Sequence, residues 1–112
     1  MQTRAVRLYG VGDLRLEKFE LPEPGDDEIL AKIVTDSICM SSYKACVLGA
    51  AHKRVPDDVA AHPVIIGHEF CGELLEVGRR WRERYPPGER FPVQVALNLP
   101  GDPYRTPGYS FP

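Results

Sequence analysis

Cys39 and His68 are the residues of this chain best suited to chemistry, with Glu69 directly after the histidine. A thiolate and an imidazole are ordinary zinc ligands, and three protein ligands with an open fourth position make a catalytic zinc. Glu69 could serve as a third ligand or orient one of the other two. The same Cys and His could instead work as a nucleophile and its base, although no residues suggest an oxyanion hole. Or they could be a small buried Cys and an unrelated turn His, because they stand too far apart to form a compact motif. Gly10-Val11-Gly12 resembles the start of a dinucleotide fingerprint, but Arg15 follows and no helix does, so it reads as a turn. Lys44, His52, Lys53 and Arg54 form a basic group that could meet an anionic substrate, with a solvated face as the plainer reading. His52 and His62 taken singly sit among loop-type residues. Trp81, between Arg80 and Arg82, reads as a packing anchor.

The elements that must position these side chains are short. Arg4 to Tyr9 alternates, with Val6 and Leu8 on one face and Arg7 on the other. After the glycine turn, Leu14, Leu16 and Phe19 continue an apolar face. Pro22 to Asp27 reads as a sharp loop. Glu28 to Thr35 forms a third strand, whose near-continuous apolar run predicts burial on both faces. Ser41 or Ser42 is placed to cap a short helix running to about Val47, and Gly49 to His62 reads as a loop. Pro63 to Gly67 is a short apolar strand that delivers His68, with Gly67 allowing close backbone approach beside it. Strand character resumes from Glu69 to Val77 and again from Phe91 to Leu97.

Composition narrows the class. The chain has 112 residues, 43% of them hydrophobic and 27% charged, which suits one domain with a real core. Eleven prolines and ten glycines disfavour long helices and favour short strands joined by turns. Lys and Arg total 14 against 16 Asp and Glu, so the basic excess that nucleic acid or an anionic membrane would need is missing. No apolar run approaches the roughly 20 residues of a membrane span, and the first residues lack a signal peptide's apolar stretch. A cytoplasmic location is the expectation. Three cysteines are too few for a disulfide scaffold, so reduced thiols are expected.

The order of features resembles a known family. Gly12 to Glu17, Pro22 to Leu30, Ser37-Ile38-Cys39-Met40-Ser41-Ser42 and Gly67-His68-Glu69-Phe70-Cys71-Gly72-Glu73, followed by Glu76-Val77-Gly78, are similar to the N-terminal GroES-like catalytic domain of zinc-dependent medium-chain alcohol dehydrogenases. The resemblance runs from about Val6 to Val95. It is strongest toward the subset acting on polyols and sugar phosphates, the sorbose-1-phosphate reductase-like enzymes and polyol dehydrogenases. It implies a mainly β fold, a GroES-like partly open β-barrel with short helices, here an incomplete domain. Residues 1–112 would be the N-terminal part of the catalytic domain, with the Rossmann cofactor domain absent from this chain.

The resemblance also implies roles. Cys39, His68 and Glu69 would be metal residues. Ser41 would relay the alcohol proton, and Glu69 would act beside the metal as a second catalytic residue. Met40 and Lys44 would meet the cofactor. The cofactors would be Zn2+ and NAD or NADP, the latter bound mainly by the missing domain, and Cys71 would serve packing. The partners would be a polyol, sugar phosphate or ketone, with no nucleic acid and no membrane, and exposed strands leave room for a homo-oligomer. The expected function is an alcohol–ketone oxidoreductase fragment, inactive alone and weak in zinc binding. The alternative is a GroES-like binding or assembly module without catalysis. Three features depart from the family. Ser42 stands where an Asp is usual, and Lys44 stands where many members have a relay His. No cysteine follows Cys71, so the four-cysteine structural zinc lobe is absent or replaced.

Overall fold

The computed structural model describes residues 1–92. Among these, six strands and one short helix build two three-stranded sheets that do not close into a barrel. The first sheet holds β1 (Gln2–Gly10), β2 (Asp13–Glu20) and β4 (Val64–Ile65), in the order β2-β1-β4. The second holds β3 (Ile29–Asp36), β5 (Phe70–Val77) and β6 (Arg90–Pro92), in the order β3-β5-β6. Every pairing is antiparallel. Helix α1 (Met40–Leu48) follows β3 and runs into a 3-10 turn at Gly49–Ala51. No described helix is long and apolar enough to cross a membrane.

The glycine turn acts as expected. Gly10 pairs with Asp13 across it, and the Gly12 N–H donates to the Cys46 carbonyl at 2.8 Å, so the hairpin tip is tied to α1. The core lies on this side of the molecule. Leu8 and Ala45 are essentially solvent-free, with Val55 and Val59 buried beside them, and Cys46, Val64 and Ile66 pack against the group. Burying a leucine of this kind stabilises by about 1.5–3 kcal/mol. The stretch from Gly49 to His62 is therefore a loop by backbone but contributes two core valines.

Several expectations fail for physical reasons. β3 is not buried on both faces: Ile29, Ile33 and Val34 are exposed, because the strand lies at the edge of its sheet. Leu14 and Leu16 are exposed as well, and Val6, on the face of Leu8, borders an open cleft. The apolar strand before His68 is only two residues long and leaves the sheet at Ile65. Neither Ser41 nor Ser42 caps α1: Cys39, in extended backbone, is the N-cap and makes no side-chain cap bond. The last strand is described only as Arg90–Pro92, and the expected continuation to Leu97 lies outside the described residues. Trp81 does pack on an aromatic neighbour, 6.4 Å between ring centroids from Tyr85, yet stays partly exposed.

Candidate metal centre

The site forms where the two sheets hand the chain to one another. β3 ends at Asp36, three residues outside regular structure follow, and α1 starts directly after Cys39. From the other side, the chain leaves β4 and passes through Ile66 and Gly67 to His68 and Glu69, then enters β5. The Ser37 N–H donates to the Glu69 carbonyl at 2.9 Å and clamps these segments together. Gly67 has φ 105°, and a Cβ there would stand 2.5 Å from Asp36 Oδ2. The backbone conformation and the tight space both favour glycine beside the histidine.

This arrangement brings Cys39, His68 and Glu69 together: their ligand atoms all lie within 4.8 Å of one another. The His68 ring is buried at 5% exposure, Cys39 is half-buried and Glu69 is exposed. Ser41 joins them. Its hydroxyl stands 3.0 Å from Cys39 Sγ and 3.1 Å from His68 Nε2, which links thiol and imidazole through one oxygen. Ser41 is the second residue of the helix and not its N-cap, and its side chain turns toward the site.

The donor set fits a zinc ion. Thiolate, imidazole and carboxylate are the residue types zinc takes, and ligands about 2.0–2.3 Å from an ion stand within a few ångströms of one another. The cysteines are free thiols among the described residues, so Cys39 is available as a ligand. A Cys–His nucleophile pair is the weaker fit, because the Ser41 hydroxyl lies between the two groups.

The other singled-out residues fall nearby or elsewhere. Met40 and Lys44 lie on the first two turns of α1, both exposed. Cys71 lies on β5 opposite Thr35 and Pro92, outside the donor group. His62 is exposed and 3.9 Å from Asp58. His52 is half-buried and accepts the Arg54 N–H at its Nδ1, 3.2 Å away. Burial, then Arg54, Lys53 and Lys44, hold its pKa below the ordinary value. Sequence reasoning missed Asp36, whose carboxylate borders Gly67. An acidic residue at a strand end carries no spacing signal, so only the fold reveals that neighbour.

One cavity borders the site and another lies away from it. An apolar cleft of about 370 Å³ runs along Cys39, Ser42, Tyr43 and Cys46 on α1, opposite Val6 and Ile66. Helical periodicity puts Ser41 and Lys44 on a different face of α1 from that cleft. A larger polar hollow of about 620 Å³, beside Gly25, Gly78 and Arg79, lies at the opposite end of β5 from His68.

Residues 25–105 match the alcohol dehydrogenase GroES-like domain. The chain belongs to that family. Several of its relatives are named as reductases or dehydrogenases. It is 60% identical over 110 residues to L-sorbose 1-phosphate reductase of Klebsiella pneumoniae, a match covering 98% of this chain and 27% of that enzyme. Mannitol-1-phosphate 5-dehydrogenase of Aliivibrio fischeri is 42% identical over 98% of the chain and 26% of its own length. Bovine sorbitol dehydrogenase is 37% identical over 88% of the chain and 25% of its own length. The chain thus spans about a quarter of these curated relatives. Among solved structures, one described as a zinc-binding dehydrogenase of Sinorhizobium meliloti 1021 bound to NADP superposes with a TM-score of 0.69 at 32% identity. It covers 93% of this chain and 28% of that one. An Escherichia coli oxidoreductase of unknown specificity superposes with a TM-score of 0.74 at 26% identity, over 93% and 29%. The family match and these neighbours agree with the resemblance read from Cys39, Ser41 and Gly67-His68-Glu69 to a GroES-like, zinc-dependent polyol dehydrogenase domain.

Proposed function

We propose that residues 1–112 are the N-terminal part of the catalytic domain of a zinc-dependent NAD(P) oxidoreductase that interconverts a polyol or sugar phosphate and its ketone. The observation that carries this reading is the convergence of Cys39, His68 and Glu69 within 4.8 Å, with the Ser41 hydroxyl between thiol and imidazole. Identity to enzymes named for phosphorylated sugars and polyols exceeds that to the sorbitol dehydrogenases, which favours a phosphorylated substrate.

Cys39 and His68 would hold the metal, with Glu69 beside them. When bound, zinc supplies Lewis-acid polarisation of the substrate oxygen, and a nicotinamide supplies or accepts the hydride. The buried His68 ring is fixed by the turn at Gly67, so the donors are ordered before any ligand arrives. The Ser41 hydroxyl would relay the proton, accepting that of the substrate hydroxyl during oxidation as it passes its own onward to water, and running in reverse during reduction. Glu69, exposed at the mouth of the group, serves as a ligand or steadies one. Met40 and Lys44 face the dinucleotide, whose main binding domain is not part of these residues. Residues 1–112 are accordingly inactive alone. A cytoplasmic setting suits a site that needs Cys39 reduced.

Metal content tests the reading directly. Elemental analysis of the complete protein is expected to find about one zinc per chain, and Cys39→Ala to remove both the zinc and alcohol oxidation. Full activity in metal-free protein overturns the proposal.

A further inference from the structure

The β1-β2 ribbon carries a pair of opposed cations outside the metal-donor group. Its register sets Leu8 opposite Leu14, Val6 opposite Leu16 and Arg4 opposite Lys18, so one face passes from apolar pairs to two positive charges. Residues directly opposed on antiparallel strands have Cβ atoms roughly 4.5–5.5 Å apart, and like charges so placed destabilise the pairing. Arg4 and Lys18 also line one hollow of about 500 Å³, with Gln2 and Thr3 beside them and Ile33 from the other sheet. Ile33 stands three residues before Asp36, so the hollow lies about 10 Å along β3 from the acid that borders Gly67.

The same ribbon shows how such a conflict is relieved elsewhere. Arg7 and Arg15 are directly opposed too, on the other face. Each has a carboxylate: Arg7 meets Glu17 at 3.8 Å, and Arg15 meets Asp13 at 2.8 Å. Among the described residues, Arg4 and Lys18 enter no ion pair. The nearest acid on their own face, Glu20, is held by the N-terminal ammonium at 3.3 Å. Both cations are exposed, and the hollow they line is within the size of ligand sites, about 300–1,000 Å³. Two adjacent positive charges without a protein counter-charge suit a ligand of concentrated negative charge.

We propose that Arg4 and Lys18 form a binding site for a phosphate group, separate from the metal donors. The Arg4 guanidinium takes two phosphate oxygens in bidentate fashion, and the Lys18 ammonium acts as a point charge. A phosphate monoester carries about −1.5 to −2 near neutral pH, so it offsets both cations, whereas one carboxylate leaves a charge uncompensated. Inorganic phosphate and the phosphate of a sugar phosphate share this chemistry. The site does not depend on the oxidoreductase reading above.

The test is protection of Lys18 from acetylation, read by peptide mass spectrometry on the complete protein. Wild type and Arg4→Gln are each treated with inorganic phosphate, L-sorbose 1-phosphate, L-sorbose or no ligand, with sodium chloride holding the ionic strength constant. Lys53, an exposed lysine outside the hollow, is the internal control. Phosphate is expected to slow acetylation of Lys18 and not of Lys53. Arg4→Gln is expected to raise the phosphate concentration for half-protection roughly tenfold. Protection by L-sorbose 1-phosphate as well, with L-sorbose inert, supports the site and extends it to sugar phosphates. Protection by inorganic phosphate alone supports a site for the free anion. Lys18 acetylated equally fast with and without both phosphate compounds overturns the proposal. So do protection by L-sorbose, equal protection of Lys53, or undiminished protection in Arg4→Gln. Zinc content of the same samples keeps the two readings apart: protein that lacks zinc yet protects Lys18 retains this site and refutes the enzymatic reading.

Discussion

The two sheets carry very different burial, and the metal-donor group hangs between them. The β2-β1-β4 side has a closed core: Leu8 and Ala45 are solvent-free, and Val55 and Val59 pack beneath α1. Among the described residues, the β3-β5-β6 side buries only Leu74 and Val77 of its hydrophobic residues, while Ile29, Ile33 and Val34 lie open. Cys39 and Ser41 adjoin a helix seated on the closed side, whereas Glu69 enters the site from the open one. The difference teaches where precision comes from. A side chain whose backbone rests on packed neighbours holds its position, because interiors pack at near-crystalline density. A side chain leading into an exposed strand has more freedom, which suits a carboxylate that can reach a ligand or withdraw from it.

The contrast can be broken on the closed side first. Leu8→Ala removes the centre of the core and is expected to cost about 2–5 kcal/mol, read from chemical denaturation. That loss should also loosen α1 and lower zinc affinity, although Leu8 touches no donor. A cost below 1 kcal/mol would mean the closed side is not the foundation of the site.

Gly67→Ala acts at the junction. A side chain at φ 105° is strained, and the new Cβ crowds Asp36, so a cost of about 1–3 kcal/mol is expected. The same change displaces His68, so zinc content per chain should fall more than global stability does. Unchanged zinc content would show that the turn is structural only.

Ile33→Thr sharpens the comparison from the open side. The residue is 51% exposed, and the change should stay within about 0.5 kcal/mol. A large loss would reveal a layer that covers β3.

The smallest effect concerns His52. Its folded pKa is lowered by burial first and by Arg54, Lys53 and Lys44 next. The unfolded chain therefore takes up this proton more readily than the folded one. The associated stability is complete above the ordinary histidine pKa of 6.5 and is lost as pH falls from there through the depressed folded value. Denaturation midpoints at pH 7.5 and pH 5.5 should draw closer in His52→Gln than in wild type. An identical pH dependence in the two proteins would remove His52 from the argument.

Much of the fold was legible because it follows from local rules. The alternation from Arg4 to Tyr9, the glycine turn with Gly12 at positive φ and the strand from Phe70 to Val77 all appear where their residues require them. The misreadings share one cause. Ile29, Ile33 and Val34 have the character of a doubly buried strand, yet burial is decided by what lies above and below, and β3 lies at a sheet edge. Ser41 is a good cap by type, but its hydroxyl gains two partners in Cys39 and His68 that no local rule could weigh. The loop from Gly49 to His62 had no periodicity, so its core residues Val55 and Val59 stayed invisible.

The sequence by itself determined the donor types, their order along the chain and the family, because Cys39, Ser41 and Gly67-His68-Glu69 are set by covalent order and side-chain chemistry. Only the tertiary structure decided that these residues meet. Cys39 and His68 belong to segments joined by no local hydrogen-bonding rule. Their approach depends on the Ser37–Glu69 backbone bond, on a turn at Gly67 that a side chain would obstruct, and on a core that seats α1 beneath them. Long-range proximity is a product of packing, and a linear spacing does not contain it.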